Sequence, residues 1–271
     1  MTPEKSLAIV GFGVVGKGMK QLFPNAVVYD EPLGLGSRDE VNRCDFAFVA
    51  VPTNARLDGS CDTSIVESVI DWLDSAVIVL RSTVVPGTTA LLKARSGKRI
   101  VFQPEFSGES ADHAFGDARR LAWIVLGGDR HDTNAVADLY KRARNAELAI
   151  HQTDSTTAEL TKYMDNCYLA LKVTFCNEFH DLSQLFGVDY NELRELWLLD
   201  PRVGRSHTFV LPEDRGFGGK CLPKDVSALV SAALTAGFQP QLLTAMLAAN
   251  VRYRAVKSQS NGHLARAVVD A

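Results

Sequence analysis

The fold is decided by one stretch, Gly11-Phe12-Gly13-Val14-Val15-Gly16, which directly follows an apolar run at 7–10 and opens a helical pattern at 14–22. Between a strand and a helix, the first glycine permits a tight turn, and the second lets backbone N–H groups approach a pyrophosphate. The third allows close helix–strand packing, and the helix N-terminus supplies partial positive charge. The stretch predicts a dinucleotide site, with glycines that simply make a turn as the alternative.

A carboxylate at the end of the second predicted strand extends this pattern. Asp30 lies 19 residues after Gly11, where a carboxylate accepts hydrogen bonds from a ribose 2′-hydroxyl and repels a 2′-phosphate. Glu31 follows instead of an arginine. The sequence therefore favours NAD over NADP as the cofactor.

Outward from this turn, short apolar runs alternate with helical patterns through the first half of the chain. Near-continuous apolar strands of this kind are buried on both faces, as in a parallel sheet covered by helices. The expected fold is α/β, a Rossmann-type doubly wound parallel sheet, in an NAD-binding domain over 1–152. The strand-like runs lie at 7–10, 26–29, 46–51, 76–80, 100–102 and 123–126, and the helical patterns at 14–22, 63–73, 88–95 and 132–144.

The ends of two of these strands belong to the same expected site. Open α/β sheets bind ligands in the crevice at the carboxyl ends of their strands. We therefore expect residues 51–54 and 81–84 to rim that crevice. The cofactor contacts predicted there are Val51, Pro52, Thr53, Ser82 and Thr83.

The second half of the chain has a helical character. Thr156-Thr157-Ala158-Glu159 is a capping-box pattern, and the helical pattern then continues to Gly187. A helix of that length predicts the spine of a second, all-helical domain over 153–271. Shorter helices are expected at 189–198, 223–236 and 240–258, with an ordered loop at 200–221.

Composition excludes several classes of protein. The chain has 271 residues and a net charge of −3, with 46% hydrophobic and 23% charged residues, which are ordinary globular values. No apolar stretch reaches membrane-helix length, no long basic run suggests nucleic acid or anionic lipid, and the first five residues leave no room for a secretory signal. The five cysteines are scattered. We expect a cytoplasmic protein with reduced thiols, without a disulfide framework, a metal site or a nucleic-acid or membrane partner.

One of these cysteines has a distinctive setting. Cys221 lies in the stretch GFGGKCLPKD, residues 216–225, ahead of an apolar helical pattern. Pro223 suits the first helical position, so Cys221 is expected at a helix N-terminus with Lys220 and Lys224 nearby. Each of these features favours the nucleophilic thiolate. A small buried hydrophobe in a glycine-rich turn is the alternative.

Two further groups are candidates for chemistry. Glu159, Lys162 and Asn166 share one face of the long predicted helix, where a cation and an amide could stabilise an oxyanion. A solvated stripe is the commoner explanation. Glu105 and Glu109 follow the fifth strand and could do acid–base work, although loop glutamates are more often surface residues.

Together these motifs resemble the UDP-glucose/GDP-mannose dehydrogenase family. The resemblance rests on GFGVVG with Asp30, VPTN (51–54), RSTVVPGT (81–88) and PEF (104–106) with Glu109. It continues through AELTKYMDN (158–166) and KVTFCNE (172–178) to GFGGKCLPKD (216–225). Their occurrence in the family's order over most of 7–258 makes coincidence improbable.

The resemblance implies a four-electron oxidation of a primary alcohol to a carboxylate, with two NAD molecules used in succession. It implies Cys221 as the nucleophile that forms a thiohemiacetal and then a thioester. Lys162 and Asn166 would stabilise oxyanions, Glu105 would be the general base, and Asp225 and Thr83 would position water. The implied cofactor residues are Gly11, Phe12, Gly13, Val14, Val15, Gly16, Asp30, Val51, Pro52, Thr53, Ser82, Thr83, Glu109 and Lys224, and the implied substrate residues are Glu105, Phe106, Ser107, Glu109, Lys162, Asn166, Arg202, Phe217 and Gly218.

Two departures from the family pattern concern the substrate. Members usually continue into a third domain that grips the nucleotide, and a chain of 271 residues is expected to lack it. The segment Phe106-Ser107-Gly108 is also smaller than the family's bulky pattern. The substrate is expected to be a sugar nucleotide or a related smaller alcohol, bound by a homodimer formed through the helical domain. A two-step enzyme for an alcohol or aldehyde unconnected with UDP-sugars and a non-catalytic NAD-binding partner protein are the alternatives.

Overall fold

The computed structural model describes the backbone of residues 5–106, 121–144 and 148–267, and side chains in these ranges up to residue 255. The predicted site residues Ser107, Gly108 and Glu109 lie outside the described residues. The chain divides into two compact units, one made of 1–56 and 61–162, the other of 57–60 and 163–271. The division falls within one long helix, and the predicted domain boundary after residue 152 stays a prediction.

The first unit is built on a seven-stranded sheet with the order β2-β1-β3-β4-β5-β6-β7. Because this order reverses beside β1, the carboxyl ends of β1 and β3 flank a topological switch point. Three helices predicted in this unit, at 14–22, 63–73 and 88–95, are found within one residue of their predicted ends. The elements are β1 (Leu7–Val10), α1 (Val14–Leu22), β2 (Val27–Tyr29), α2 (Arg38–Asn42), β3 (Phe46–Val49), α3 (Ser64–Trp72), β4 (Val77–Leu80), α4 (Thr88–Ser96), β5 (Ile100–Phe102), β6 (Trp123–Gly127), α5 (Arg130–Ala143) and β7 (Ala149–Thr153).

The predicted α/β class with a doubly wound parallel sheet is confirmed, and one pair of neighbouring strands departs from the parallel arrangement. Strand β6 runs antiparallel to β5, whereas every other neighbouring pair is parallel. A buried apolar strand has the same composition in either direction, so the sequence could not reveal this reversal. Helix α2 and strand β7 were not predicted, since one has five residues and the other has the mixed sequence AIHQT.

The core of the first unit covers both faces of the sheet. Strands β1, β3 and β4 are buried along their whole length. Alternate residues of these strands pack into two separate clusters, with Ala8 and Val10 on one face and Leu7 and Ile9 on the other. Burial on both faces fixes the sheet rigidly, so its carboxyl ends form a stable platform for a ligand.

The predicted long helix is confirmed; it begins in the first unit and continues into the second, whose other helices follow it in the chain. Its start, however, differs from the predicted capping box. Asp154 caps the first turn by accepting from the N–H of Thr157 at 2.8 Å, and Glu159 accepts hydrogen bonds from residues far away in sequence. The elements are α6 (Ser155–Leu185), α7 (Tyr190–Trp197), α8 (Leu222–Thr235) and α9 (Gln241–Ala267).

Helices α6, α8 and α9 pack around an apolar cluster in the second unit. Phe217, just ahead of α8, is buried in this cluster with Cys167, Val226, Val230 and Met246. Helix α8 begins at Leu222, so Pro223 occupies the second helical position instead of the predicted first. Of the helices described, none combines the length and the hydrophobicity that a membrane span needs.

Candidate active site

The three glycines of the turn after β1 have three different surroundings. Gly11 has φ +94°, and a Cβ there would lie 2.5 Å from the Ala50 carbonyl oxygen. A Cβ on Gly16 would lie 2.0 Å from the Gly11 carbonyl oxygen, so only glycine allows α1 to pack this closely. Gly13 meets nothing within 4 Å. The middle glycine therefore leaves open space over the turn, as the approach of a pyrophosphate requires.

The start of α1 is suited to a negatively charged ligand. Gly13 is its N-cap, no described side chain caps its first turn, and that turn contains no acidic residue. Backbone N–H groups and the helix dipole at such an end favour an anion. Val14 is exposed and Val15 is half-buried, so this end of the helix is accessible. The residues present fit a dinucleotide pyrophosphate.

Asp30 lies beside this turn, as predicted. One oxygen of its carboxylate accepts from the N–H of Phe12 at 2.7 Å, and the other accepts from the N–H of Leu33 at 3.1 Å. These bonds fix the carboxylate at the end of β2. Each oxygen has a further lone pair with which to accept from a ribose hydroxyl.

The predicted strand-end residues are joined by hydrogen bonds. The Thr53 hydroxyl donates to the Thr83 carbonyl oxygen at 2.7 Å, and the Ser82 hydroxyl donates to the Val51 carbonyl oxygen at 2.7 Å. Thr53 and Ser82 are buried, whereas Pro52 is exposed. The two buried hydroxyls thus link the segment after β3 to the segment after β4, and contact of these residues with the cofactor stays a prediction.

Glu105 forms an ion pair with Arg81 in the first unit. Both side chains are largely buried, at 12% and 3% exposure. Arg81 also donates to the Tyr140 hydroxyl at 3.3 Å, which itself donates to Gln103 at 2.8 Å. Burial lowers the pKa of Arg81, but the neighbouring Glu105 charge raises it overall, so the guanidinium stays charged. Glu105 is therefore a fixed acceptor, and its role as general base stays a prediction.

The shared face of Glu159 and Lys162 is not a solvated stripe. Glu159 is fully buried and accepts from the N–H groups of Gly87 and Thr89 at 2.6 and 2.8 Å, which caps α4. Burial raises the pKa of Glu159, although these hydrogen bonds lower it in part. Lys162 is half-buried, with its ammonium 5.1 Å from the centre of the Phe106 ring. Glu159 is thus structural, and Lys162 is held in a cation–π contact.

Cys221 is the exposed cysteine of the second unit. It is the N-cap of α8, as predicted, while the other four cysteines of the chain are buried. Burial, with the charge of Asp225 second, raises the pKa of nearby Cys167 to about 11. Only Cys221 among the five therefore combines exposure with a helix N-terminus, both of which favour a reactive thiolate.

Three predicted site residues meet beside the first turn of α8. The Asp225 carboxylate, 1% exposed, accepts from the Asn166 amide at 2.5 Å and from the Lys224 ammonium at 2.5 Å. The Asp225 N–H donates to the Cys221 carbonyl oxygen, which places the carboxylate one turn after the cysteine. Asn166, Lys224 and Asp225 thus form a buried polar cluster, whose catalytic and cofactor roles stay predictions.

Three further predicted substrate residues, Arg202, Phe217 and Gly218, lie in the second unit. Arg202 has its side chain 87% exposed and pairs with Asp200. Phe217 is buried, and both of its backbone polar groups bond to Asn250. A Cβ on Gly218 would lie 3.0 Å from Arg254. The burial of Phe217 does not support direct contact of its side chain with a substrate, and the other two assignments stay predictions.

Sequence reasoning missed the residues that support the site. Arg81 belongs to the strand end expected to rim the crevice but was given no role of its own, and Tyr140 lies near the end of a helix predicted for packing alone. Asn177 and Asn250 each bond to the glycine-rich segment ahead of Cys221 from more than 30 residues away. Of the four, only Arg81 and Asn177 stand within motifs that carry the family resemblance, and those motifs assigned them no role.

The fold and the glycine turn define a Rossmann-type dinucleotide-binding protein with an additional helical unit. Residues 35–144 match the NAD-binding domain of the UDP-glucose/GDP-mannose dehydrogenase family, and residues 156–252 match the central domain of the same family. The chain belongs to the UDP-glucose/GDP-mannose dehydrogenase family, whose members are nucleotide-sugar dehydrogenases. NAD is therefore its cofactor, as predicted.

Individual relatives agree with this assignment. The chain is 36% identical to the UDP-glucose 6-dehydrogenase AglM of Haloferax volcanii over 78% of this chain and 53% of that protein. It is 30% identical to a GDP-mannose 6-dehydrogenase of Pseudomonas savastanoi pv. phaseolicola over 88% of this chain and 58% of that protein. A UDP-glucose dehydrogenase structure from Pyrobaculum islandicum matches with a TM-score of 0.80 and 28% identity over 93% of this chain and 69% of that one. The chain spans about half the length of the curated relatives it matches.

Proposed function

We propose that this protein oxidises the primary alcohol of a nucleoside diphosphate sugar to a carboxylate with NAD, through a thioester on Cys221. The observation that carries the proposal is the setting of Cys221, an exposed thiol at a helix N-terminus in a chain whose other cysteines are buried. The family and its NAD-binding domain supply the redox half of the reaction. The thiol explains how one site can oxidise the same carbon twice.

The proposed chemistry balances as two oxidations and one hydrolysis. NAD, when bound, accepts one hydride in each oxidation. After the alcohol has become an aldehyde, the Cys221 sulfur bonds to the carbonyl carbon, and the oxygen takes a proton to give a thiohemiacetal. Loss of the second hydride and of the hydroxyl proton leaves a thioester. Water then attacks the carbonyl carbon, the carbon–sulfur bond breaks, and the carboxylate leaves while the thiolate is restored.

The chain's other residues have roles that follow from their charge and hydrogen-bonding capacity. Developing negative charge on oxygen needs donors and cations, which Asn166 and Lys162 provide. The attacking water needs acceptors, which Glu105, Asp225 and Thr83 provide. The ion pair with Arg81 supports Glu105 as an oriented carboxylate. These assignments extend the family resemblance residue by residue.

The substrate class rests on the relatives. Proteins named for UDP-glucose and for GDP-mannose oxidation match this chain over most of its length. The feature common to both substrates is a 6-hydroxymethyl group on a hexose that carries a nucleoside diphosphate. We therefore propose a sugar nucleotide as substrate, with a simpler alcohol as the alternative.

We further propose that the protein is a homodimer. Helix α6 carries several large apolar side chains that are exposed to solvent and lie along one face of the helix. An exposed apolar patch of this kind is typical of a surface that binds another protein. In sedimentation velocity, the chain is expected at twice its mass of 29.5 kDa. These residues are Met164, Tyr168, Phe175, Phe179 and Leu182, with exposures of 75%, 58%, 44%, 40% and 37%.

The proposed reaction is tested by counting products. The purified chain is incubated with NAD and a panel of sugar nucleotides, simple sugars and nucleosides, and NADH and acid are measured per alcohol consumed. We expect two NADH per acid for a sugar nucleotide. Cys221→Ser should lower acid formation by about a thousandfold or more, because a hydroxyl at neutral pH is a far weaker nucleophile than a thiolate.

The matched control is Cys44→Ser, which changes a buried cysteine of the first unit. It should retain acid formation within about twofold. One NADH per alcohol would contradict the thioester scheme even if the chain were active. Cys221→Ser with undiminished acid formation would exclude Cys221 as the nucleophile, and no turnover on any substrate would favour a non-catalytic NAD-binding partner.

A further inference from the structure

The segment ahead of Cys221 is held by an asparagine from another helix. Asn250 of α9 is buried at 8% exposure. Its Oδ1 accepts from the Phe217 N–H at 2.7 Å, and its Nδ2 donates to the Phe217 carbonyl oxygen at 3.0 Å. One side-chain amide thus satisfies both backbone polar groups of one residue, as a neighbouring strand would.

A second asparagine holds the two preceding residues in a different way. Asn177 of α6 accepts through Oδ1 from the Gly216 N–H at 3.1 Å and from the Arg215 Nε at 2.6 Å. Its Nδ2 donates to the Val173 carbonyl oxygen of its own helix at 2.8 Å. Toward the segment, Asn177 therefore acts only as an acceptor, whereas Asn250 accepts and donates.

Packing links the segment held by the two asparagines to the start of α8. Gly216 has φ +75°, and a Cβ there would lie 2.4 Å from the Asn250 Oδ1. The Phe217 side chain packs with Val226 and Val230 of α8 in the apolar cluster. Holding the Phe217 backbone therefore also holds the helix whose N-cap is Cys221.

We propose that Asn250 is the positioning residue for the Cys221 thiol, because it fixes Phe217 and thereby the backbone that places the sulfur at the N-terminus of α8. The proposal rests on the proposed function of Cys221 as nucleophile. Asn250 contacts no reacting atom. It acts on the reaction only through the backbone between Phe217 and Cys221.

The two asparagines make a sharp contrast under one substitution. Asn250→Asp replaces the Nδ2 donor by an oxygen that faces the Phe217 carbonyl oxygen, so it introduces a repulsion into the segment. Asn177→Asp keeps both acceptor bonds to the segment and strengthens the one to the Arg215 guanidinium, while the donor that it loses faces the Val173 carbonyl oxygen of α6 and not the segment. The same chemical change should therefore displace Cys221 at position 250 and leave it in place at position 177.

The test measures the alkylation rate of Cys221 by iodoacetamide as a function of pH, with the modified cysteine identified by mass spectrometry. Burial of the other four cysteines makes Cys221 the selective target. For Asn250→Asp we expect the midpoint of the pH profile to rise by about one unit. The alkylation rate near neutral pH should fall about threefold, because the smaller fraction of thiolate is partly offset by the higher nucleophilicity of each thiolate. Asn177→Asp should match the parent.

Asn191→Asp is the surface control. Asn191 is exposed on α7, and the substitution there adds the same negative charge as at position 250. A parent-like profile for Asn250→Asp overturns the proposal, and so does an equal change at position 177 or 191. If Asn250→Asp does not fold, Asn250→Ala removes both bonds without adding charge and is tested in its place. Absence of NADH formation by the parent would refute the proposed function but leave this measurement intact. If the parent is active, Asn250→Asp should lower kcat and leave KM unchanged.

Discussion

The chain contains two Gly-Phe-Gly segments, each ahead of a helix, and they differ in what each leaves open. In the first, Gly13 is exposed and caps α1, whose first turn has no acidic residue. In the second, Phe217 is buried, Cys221 is the N-cap of α8, and Asp225 lies in the first turn of that helix. The first segment leaves its helix end available to an anionic ligand. In the second segment, the thiol of Cys221 and the carboxylate of Asp225 occupy the start of the helix.

The difference shows that the residues around a glycine turn decide its chemistry. Both segments bond the N–H of their phenylalanine to a side-chain oxygen, from Asp30 in one case and Asn250 in the other. Asp30 carries a charge at a half-buried position, which a ribose can also use. Asn250 is neutral and buried, and its side chain bonds to both backbone polar groups of Phe217. One segment is therefore suited to bind a ligand and the other to hold a nucleophile.

The largest difference between the segments is expected from their phenylalanines. Phe217→Ala should lower the free energy of unfolding by about 4 kcal/mol, because it leaves a cavity in the apolar cluster. Phe12→Ala, at a half-buried position, should cost about 1 kcal/mol. Urea denaturation followed by circular dichroism measures both. Equal losses would show that the two phenylalanines contribute equally to stability, which would contradict the expected difference between the two segments.

The parts of the fold marked by local signals could be predicted from the sequence. Helix α1 has its predicted bounds because a glycine turn marks its start and an apolar period marks its length. The direction of β6 could not be predicted, since strand composition does not depend on direction. Glu159 was interpreted through its neighbours in sequence, but its partners Gly87 and Thr89 lie 70 or more residues away.

The glycines give the second comparison, within the first segment. Gly16→Ala should lower the free energy of unfolding by about 3 kcal/mol, because its Cβ would overlap the Gly11 carbonyl oxygen and push α1 from β1. Gly13→Ala has open space and should leave stability within about 0.5 kcal/mol of the parent. It should nevertheless weaken NAD binding about tenfold, since the methyl group occupies the approach to the turn. Calorimetric NAD titration checks this, and unchanged affinity would refute the site.

Some residues of the candidate site have a local sequence signal and could be predicted, whereas others have none. Cys221 was predicted because it stands in a glycine-rich motif ahead of a helix, and Asp30 because it follows the second predicted strand, 19 residues after Gly11. Asn250 has no such signal, because an asparagine in the middle of a helix is unremarkable until its distant partner is known. Asp225 was predicted from resemblance alone, and its pairing with Asn166 depends on two helices packing together.

The smallest expected effect is on NAD affinity, for a substitution at Asp30 that removes the charge and keeps the hydrogen bond to the turn. Asp30→Asn keeps an oxygen for the Phe12 N–H and loses the acceptor of the longer bond from the Leu33 N–H, so the turn after β1 should stay folded, but it removes the charge that favours NAD. We expect the Kd for NAD to rise about tenfold, or about 1.4 kcal/mol, and the preference over NADP to narrow. Asn250→Asp is the counterpart in the second segment and should leave the Kd for NAD unchanged. If instead the Asn250 variant weakened NAD binding as much as the Asp30 variant, the two segments would not have the separate roles inferred from their surroundings.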